Sequence, residues 1–329
     1  MKRLICVFLV NLLAATSFAD TLTDEAFQNL ANEYINDLAN ISPVLATSVG
    51  DHSADGELDD VDDDARAETL SLYREYKTAL NGLDRNELTR ANQVDAEMLL
   101  HEIESSIWSI ETLQEWAWNP LYYVDMSGNA IYALIARDFA PIEQRLMAAA
   151  SRLEQLPRFL EQARGSIETD RVPKIHAETA IRQNPGLSSI IEAMIVPKME
   201  ALPAAQQARL NAAIETAKDA LADHQTWLEE ELLPRANGDF RIGAKLYDTK
   251  LAFALNSPMS RKEITARAEQ EYEAVRNRMY EVAKEVYAGK HPFTAFPDNP
   301  DESYKQAIIR AALEEAYRKL PPRDGIVEI

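Results

Sequence analysis

The side chains best suited by type and spacing to bind a metal lie in the acidic segment Asp51–Asp62, whose sequence is DHSADGELDDVD. Oxygen-bearing side chains occupy positions 1, 3, 5, 9 and 12 of the segment, with glycine at 6 and leucine at 8. This is the arrangement of an EF-hand calcium loop. However, Asp62 replaces the longer glutamate that chelates calcium through both oxygens, and Pro43 interrupts the preceding helix. Two interpretations stay open: a calcium-binding loop, or a solvated loop that leads into a helix N-terminus.

The histidine and glycine motifs of well-known hydrolases are incomplete in this sequence. His101-Glu102 begins like the zinc motif H-E-x-x-H, but Ser105 stands where the second histidine belongs. The sequence GLSSI, starting at Gly186, lacks the closing glycine of the G-x-S-x-G nucleophile motif. His224 lies on an apolar helical stripe, which indicates a core histidine rather than a metal ligand. Read by themselves, the residues identify no catalytic group and no metal site.

The N-terminus has the features of an export signal. A basic start and an apolar stretch up to Ala15 precede Ser17-Phe18-Ala19, which has small residues where signal peptidase reads them. We therefore predict a signal peptide over residues 1–19, cleaved before Asp20, and a periplasmic or secreted protein. Cys6 is the one cysteine of the chain and would leave with the signal. Disulfides and thiolate chemistry are then excluded from the mature protein.

The charge of the mature chain argues against some classes of partner. Without the signal peptide, 32 basic residues face 54 acidic ones, a net charge of −22. Such a surface repels nucleic acid and anionic membranes, so we expect no nucleic-acid partner. No apolar run reaches the roughly 18–20 residues of a membrane span.

The spacing of apolar residues is helical from Thr21 onward. The clearest helix is predicted from Pro203 to Leu232, where the stripe steps by three or four residues. Its members are Leu210, Ile214, Ala217, Leu221, His224, Leu228 and Leu232. A second long helix, capped by Ser260, has an apolar face made of Ile264, Ala268, Tyr272, Val275, Met279, Val282 and Val286.

The fold class predicted from this periodicity is all-α, an antiparallel array of helices joined by short proline and glycine turns with little or no strand. Asp239–Leu255 is the one ambiguous segment, since it reads as a strand that continues into a helix. Glu115–Gln144 concentrates aromatic residues that each bury roughly 150–250 Å². We expect this segment to lie inside the fold; its aromatic residues include Trp116, Trp118, Tyr122, Tyr123, Tyr132 and Phe139.

Several segments, taken in order, carry a family resemblance. They are Ser42-Pro43 through Gly50-Asp51-His52, Trp118–Tyr122, Arg137–Pro141, His176–Gln183, Leu232–Pro234, Gly238–Gly243 and Leu246-Tyr247. In order and spacing they resemble the N-terminal half of the bacterial DUF885 family, over nearly the whole mature chain. One departure is Ala268, where members commonly have a glycine before the glutamate.

The resemblance implies a largely helical, exported protein related to zinc peptidases of the gluzincin type. The metal motif of the family, H-E-x-x-P-G-H, belongs to the C-terminal half and has no counterpart in this sequence. In such enzymes zinc lowers the pKa of a bound water to about 7, and a glutamate takes its proton. By resemblance, then, the chain represents roughly the first half of the protein and contains no catalytic residue, metal ligand or cofactor of its own. Zinc is expected in the full-length protein, as is a peptide substrate that the missing half would engage.

Three polar residues inside the matching motifs are candidates for facing the substrate: His52, Arg182 and Tyr247. Each also has a structural interpretation. His52 would cap the next helix, Arg182 would form an ion pair, and Tyr247 would be a buried phenol with a satisfied hydroxyl.

A function of another class remains open. The chain could be a non-catalytic, all-α periplasmic binding or scaffold protein whose helices close a core unaided. A half-protein should instead expose an apolar face and melt without cooperativity.

Overall fold

The computed structural model describes residues 23–321. The predicted signal peptide, its cleavage site before Asp20, and the last eight residues, 322–329, lie outside this range. Within it, the all-α class is confirmed, since the one β-type contact is an isolated bridge between Pro173 and Gly238. The helices are α1 (residues 23–41), α2 (Pro43–Val49), α3 (Asp63–Gly82), α4 (Arg90–Trp108), α5 (Glu115–Trp118), α6 (Leu121–Ala136), α7 (Ile142–Ser166), α8 (Lys174–Gln183), α9 (Gly186–Ile190), α10 (Ala204–Trp227), α11 (Leu233–Arg235), α12 (Ala244–Leu255), α13 (Arg261–Lys290) and α14 (Glu302–Tyr317).

The chain forms two compact units that divide after Tyr247. The larger core of the first unit is built by α6, α7 and α10. The stripe predicted on α10 is confirmed, because all of its members are buried, and a π-helical turn, Leu228–Leu232, continues it to Leu232. Repetition of apolar residues at helical spacing is enough to define this face.

A second core in the first unit joins α1, α3 and α4. Tyr34 of α1 packs edge-to-face against Tyr76 of α3, with ring centroids 5.2 Å apart. The Tyr76 hydroxyl donates a hydrogen bond to Asp37 at 2.6 Å. Within residues 23–321, no helix has both the length and the apolar character that crossing a bilayer requires.

The ambiguous segment Asp239–Leu255 is irregular up to Gly243 and then helical in α12, so its first part is not a strand. The irregular part is held at Gly238, whose N–H donates to the carbonyl of Val172 at 3.0 Å. A Cβ atom on Gly238 would lie 2.0 Å from the carbonyl oxygen of Arg171. Only glycine allows the two backbones to approach so closely.

In the second unit, α13 and α14 run in the same direction. Arg276 contacts Glu302 at the start of α14, whereas Lys290 contacts Glu315 near its end. The predicted antiparallel arrangement therefore does not extend to this pair, and the connection after Lys290 must return along the length of the pair.

The N-terminus of α13 is as predicted, because Ser260 forms a reciprocal capping box with Glu263. The apolar stripe predicted for α13 is present but exposed. Five of its large members each keep more than 40% of their surface accessible: Tyr272, Val275, Met279, Val282 and Val286. The face that packs against α14 is instead centred on Tyr280 and Ala283.

Candidate functional site

The acidic segment Asp51–Asp62 lies across α7 and is anchored there by side-chain amides. The oxygen of Gln155 accepts from the N–H of Leu58 at 3.2 Å, and that of Gln162 accepts from the N–H of Val61 at 3.0 Å. Asp55 and Asp59, both inside the segment, are only 8% and 6% exposed. The interpretation as a solvated loop is therefore wrong for the middle of the segment. Glutamine amides from α7 replace the water that an exposed loop would use.

Arg152 is the charge around which this segment folds. The residue is completely buried on α7. Its guanidinium donates to the carbonyl oxygens of Glu57 (2.8 Å), Ala130 (2.7 Å) and Pro43 (3.1 Å), and to the hydroxyl of Thr47 (2.7 Å). A buried charge is tolerated only when it is hydrogen-bonded and compensated.

Two buried carboxylates compensate Arg152. Asp55 accepts from the Thr47 hydroxyl at 2.7 Å, and Asp59 accepts from the Ser42 hydroxyl at 2.7 Å and the Val44 N–H at 2.9 Å. Asp59 thereby caps the first turn of α2 from a distant part of the chain. Burial raises the pKa of Asp59, although its hydrogen bonds and the charge of Arg152 act in the opposite direction. Burial lowers the pKa of Arg152.

The carboxylates of the segment do not converge as calcium ligands. Asp55 and Asp59 are each engaged by their own donors, and Asp62 caps α3 by accepting from the N–H of Ala65 at 3.0 Å. The predicted helix N-terminus at Asp62 is thus confirmed. Throughout residues 23–321, no group of three or more His, Cys, Asp or Glu side chains is arranged to hold a metal ion. The described residues therefore do not fit the zinc site that the family resemblance implies for the full-length protein.

A cavity of about 270 Å³ opens beside Asp59 in the first unit. Its walls come from α1, α2, α3, α4, α5, α6 and the acidic segment. The polar and aromatic residues that line it are Ser42, Asp59, Asp60, Arg66, Thr69, Tyr73, Ser106, Ser109, Trp116, Tyr122 and Tyr123. A shallower groove of about 420 Å³ adjoins it and extends along α6 to Tyr132 and Arg137. Both share Ser42, Leu45, Asp59, Tyr122 and Met126, so together they form one continuous cleft.

The cavity has charges of both signs. Asp59 and Asp60 are its carboxylates, and Arg66 of α3 is its cation. Asp60 is paired with Arg158, whereas Asp59 is buried. The Arg66 guanidinium lies 4.0 Å from the centre of the Trp116 ring and donates to the carbonyl of Val61 (2.5 Å) and to the hydroxyl of Ser166 (2.9 Å). Its other nitrogen contacts Asp63, whose side chain is 92% exposed.

Asp59 and Arg66 both act on the phenol of Tyr122. Tyr122 lines the cavity and keeps 43% of its surface exposed, while the surrounding protein partly buries its hydroxyl. This burial raises the pKa of the hydroxyl, Asp59 raises it further, and Arg66 lowers it. The expectation that the aromatic segment Glu115–Gln144 is internal thus holds for Tyr123, which is 2% exposed, whereas Tyr122 and Tyr132 line the cleft.

The three sequence-derived candidates lie elsewhere. His52 stacks on Phe139 with ring centroids 3.6 Å apart, and its Nδ1 lies 3.1 Å from the Asp55 carboxylate. Arg182 is exposed on α8, where it donates to the hydroxyl of Thr179 at 2.9 Å. Tyr247 of α12 is 48% exposed, so it is not the buried phenol of its structural interpretation. None of the three lines the cleft beside Asp59.

The structural interpretations given for His52 and Arg182 also differ from what the structure shows. His52 does not cap α3, because Asp62 does so. Among the described residues, Arg182 has no carboxylate within ion-pair distance. The cleft residues Asp59, Arg66 and Tyr122 were not identified from sequence, although Asp59 and Tyr122 belong to segments that the sequence marked as unusual.

The comparisons with known proteins place these features in a family. A family of bacterial proteins of unknown function, DUF885, matches residues 43–324. A solved structure of a candidate lipoprotein of unknown function from Shewanella oneidensis is similar, with 26% sequence identity and a TM-score of 0.75. The match covers 92% of this chain and 54% of that chain, so this chain spans about half the length of the solved structure. No curated protein matches the sequence. Because the family match extends over most of the sequence, this chain belongs to the DUF885 family.

Proposed function

We propose that this chain is the N-terminal, cleft-forming portion of an exported DUF885 protein that hydrolyses peptides with a bound metal ion. The metal ligands would come from residues outside this chain. The observation that carries the proposal is the extent of the structural match. It covers 92% of this chain but only 54% of the solved relative.

Export is supported from two directions. The first residues have the pattern of a cleaved signal peptide, and the solved relative is described as a candidate lipoprotein. The strongly acidic mature chain, without cysteine, is compatible with a periplasmic location.

The exposed stripe on α13 supports the need for a further partner segment. Contiguous apolar surface of this kind marks an interaction site in soluble proteins. In the proposed whole protein, the catalytic portion would cover such surfaces. An apolar groove of about 390 Å³ is lined on one side by four members of the stripe: Val275, Met279, Val282 and Val286.

His52, Arg182 and Tyr247 remain proposed substrate-facing residues. Arg182 and Tyr247 are exposed and project from motifs of the family resemblance. His52 is partly exposed above its stacking partner Phe139. In a longer, active protein, Arg182→Ala and Tyr247→Phe should raise KM and leave folding unchanged, whereas Arg209→Ala, at an exposed ion pair, should change neither.

The direct test uses metal analysis and peptide hydrolysis. The purified chain, dialysed after exposure to zinc, should retain far less than one zinc per molecule and cleave no peptide in a mixed library. The gene downstream of codon 329 should continue in frame and encode H-E-x-x-P-G-H, and the longer product should bind zinc and cleave peptides. Stoichiometric zinc in the present chain would overturn the proposal, as would a longer product that binds zinc but hydrolyses nothing.

The second candidate is a non-catalytic binding or scaffold protein. It is favoured by the first unit, whose two cores are enclosed and which contains its own cleft. A sharp, reversible thermal transition of the isolated chain, with coincident spectroscopic and calorimetric curves, would support it. Broad or irreversible melting would support the half-protein proposal.

A further inference from the structure

We propose that the cavity between Asp59 and Arg66 binds a free α-amino acid as its zwitterion. The ammonium group would lie at Asp59, the carboxylate at Arg66, and an apolar or aromatic side chain against Tyr122. This inference does not depend on the proposed hydrolase activity, because binding needs neither a metal nor turnover.

The size of the cavity sets the size of the ligand. Small-molecule sites in proteins enclose about 300–1,000 Å³. At about 270 Å³, the cavity beside Asp59 is just below the bottom of that range and can hold one amino acid, while the adjoining groove of about 420 Å³ leaves room for its side chain. Aromatic walls with a few convergent polar groups are the usual composition of such sites.

Asp59 offers a suitable site for an ammonium group. The carboxylate is 94% buried and accepts one hydrogen bond at each oxygen, from Ser42 and from Val44. Each carboxylate oxygen has a second lone pair, so further acceptor capacity remains. The positive charge of Arg152 is divided between two carboxylates, because it compensates Asp55 as well as Asp59. A cation added at Asp59 would therefore relieve an excess of buried negative charge.

Arg66 offers a suitable site for a carboxylate. Its side chain is 14% exposed, so it is held in place, while its ion-pair partner Asp63 is almost fully in solvent. Two of its five N–H groups point to Val61 and Ser166 and a third to Asp63, which leaves two without a partner among residues 23–321. A guanidinium held against Trp116 and only partly saturated is well suited to a charge-assisted hydrogen bond with a carboxylate.

Tyr122 lines the same cavity as Asp59 and Arg66. Both charges act on its phenol, so the ring is close to both ends of a ligand that binds them. A ligand with a single charge would leave one end of the cavity unmatched, and the site should discriminate against it.

The test is calorimetric titration of the purified chain with L-phenylalanine, its C-terminal amide and its N-acetyl derivative. L-Phenylalanine should bind, and each blocked analogue should bind at least about tenfold more weakly, since each loses a charge-assisted hydrogen bond. Tyr122→Ala, with folding checked by its thermal unfolding midpoint, should weaken L-phenylalanine binding by a similar factor. Tyr317→Ala, at a tyrosine with 62% exposure outside the cavity, should leave it unchanged.

Each outcome decides the proposal. Absence of binding at millimolar L-phenylalanine would overturn it, as would equal affinity for all the ligands. Equal weakening by Tyr122→Ala and Tyr317→Ala would place the ligand elsewhere. Tighter binding of the amide alone would indicate a cation site rather than a zwitterion site. Because none of these measurements involves catalysis, failure here leaves the zinc and hydrolysis tests of the proposed function unaffected.

Discussion

The guanidinium of Arg152 on α7 donates a hydrogen bond to the hydroxyl of Thr47 on α2 at 2.7 Å, and Thr47 donates in turn to Asp55 at 2.7 Å. Thr47 thus links the buried guanidinium of Arg152 to the buried carboxylate of Asp55. Its residue surface is 3% exposed, so no solvent replaces this link.

Replacing Thr47 by valine should leave Asp55 and Arg152 each short of one partner. Removal of one member of a buried polar network costs about 1–3 kcal/mol. We expect Thr47→Val to lower the free energy of unfolding in urea by that amount. Ser48→Ala, one residue further on α2, should change it by less than about 0.5 kcal/mol. Equal effects from the two variants would mean that the network contributes nothing specific.

Replacing Arg152 by methionine should be more damaging, because it leaves Asp55 and Asp59 buried without their cation. Asp55 and Asp59 both act electrostatically on Arg152, and leaving buried charges without their counter-charge costs about 3–5 kcal/mol. The matched control is Arg209→Met. Arg209 pairs with Glu154 at 2.7 Å in a half-exposed setting, where such pairs contribute about 1 kcal/mol or less. If urea denaturation gave the same loss for both variants, the buried network would not be the source of stability.

The stripe on α10 and the buried Arg152 show what the sequence could and could not predict. The stripe on α10 was predictable because its information is local: residues three or four positions apart share a face. Arg152 lies in an equally helical pattern, yet its partners Pro43 and Thr47 are 109 and 105 residues away. Periodicity marks it as an ordinary polar position. Only the folded chain shows that the acidic segment wraps around it.

The candidate cleft could not be predicted from the sequence for the same reason. Asp59 and Tyr122 both lie in segments that composition marks as unusual, but only the tertiary fold brings them to one cavity with Arg66. The motifs of the family resemblance directed attention to His52, Arg182 and Tyr247 instead. On α13 the pattern was correct, but periodicity does not tell whether an apolar face is covered.

Gly238→Ala should destabilise the protein strongly. The added methyl group would lie 2.0 Å from the Arg171 carbonyl oxygen, so the backbone contact with residues 171–172 must open. Loss of the hydrogen bond from Gly238 to Val172 and the strain of the displaced backbone should together cost about 2–4 kcal/mol. Gly289→Ala is the control, since a Cβ there meets no atom within 4 Å, and it should be neutral or stabilising. Thermal unfolding of both variants would decide, and an unchanged midpoint for Gly238→Ala would contradict the close approach.

His224 should make the protein sensitive to mild acid. Burial, and to a smaller extent the charge of Arg164, lowers its pKa from 6.5 to about 4. Its Nδ1 is buried and has no hydrogen-bond partner among the residues that the structure describes. Between these two pKa values the unfolded chain binds a proton that the folded chain does not. The stabilisation is therefore complete above pH 6.5 and is lost as the pH falls towards 4.

The difference in pKa corresponds to about 3 kcal/mol across this window. We expect the free energy of unfolding of His224→Leu to depend less on pH than that of the wild type by this amount. Leu228→Ala, one turn further along the same buried stripe, should lower stability equally at every pH. Parallel pH profiles for the wild type and His224→Leu would show that His224 does not titrate in this range.

The exposed stripe on α13 should accept charge without loss of stability. Val275 and Val282 are each 53% exposed, so the double variant Val275→Glu/Val282→Glu should shift the unfolding free energy by less than about 1 kcal/mol. It should also reduce self-association, measured by light scattering, because the contiguous apolar surface is interrupted. Tyr280→Ala, at the buried face that packs on α14, should instead cost about 3–5 kcal/mol. If the double glutamate variant unfolded as readily as Tyr280→Ala, the stripe would be covered within the chain itself and would not be a surface for a further segment.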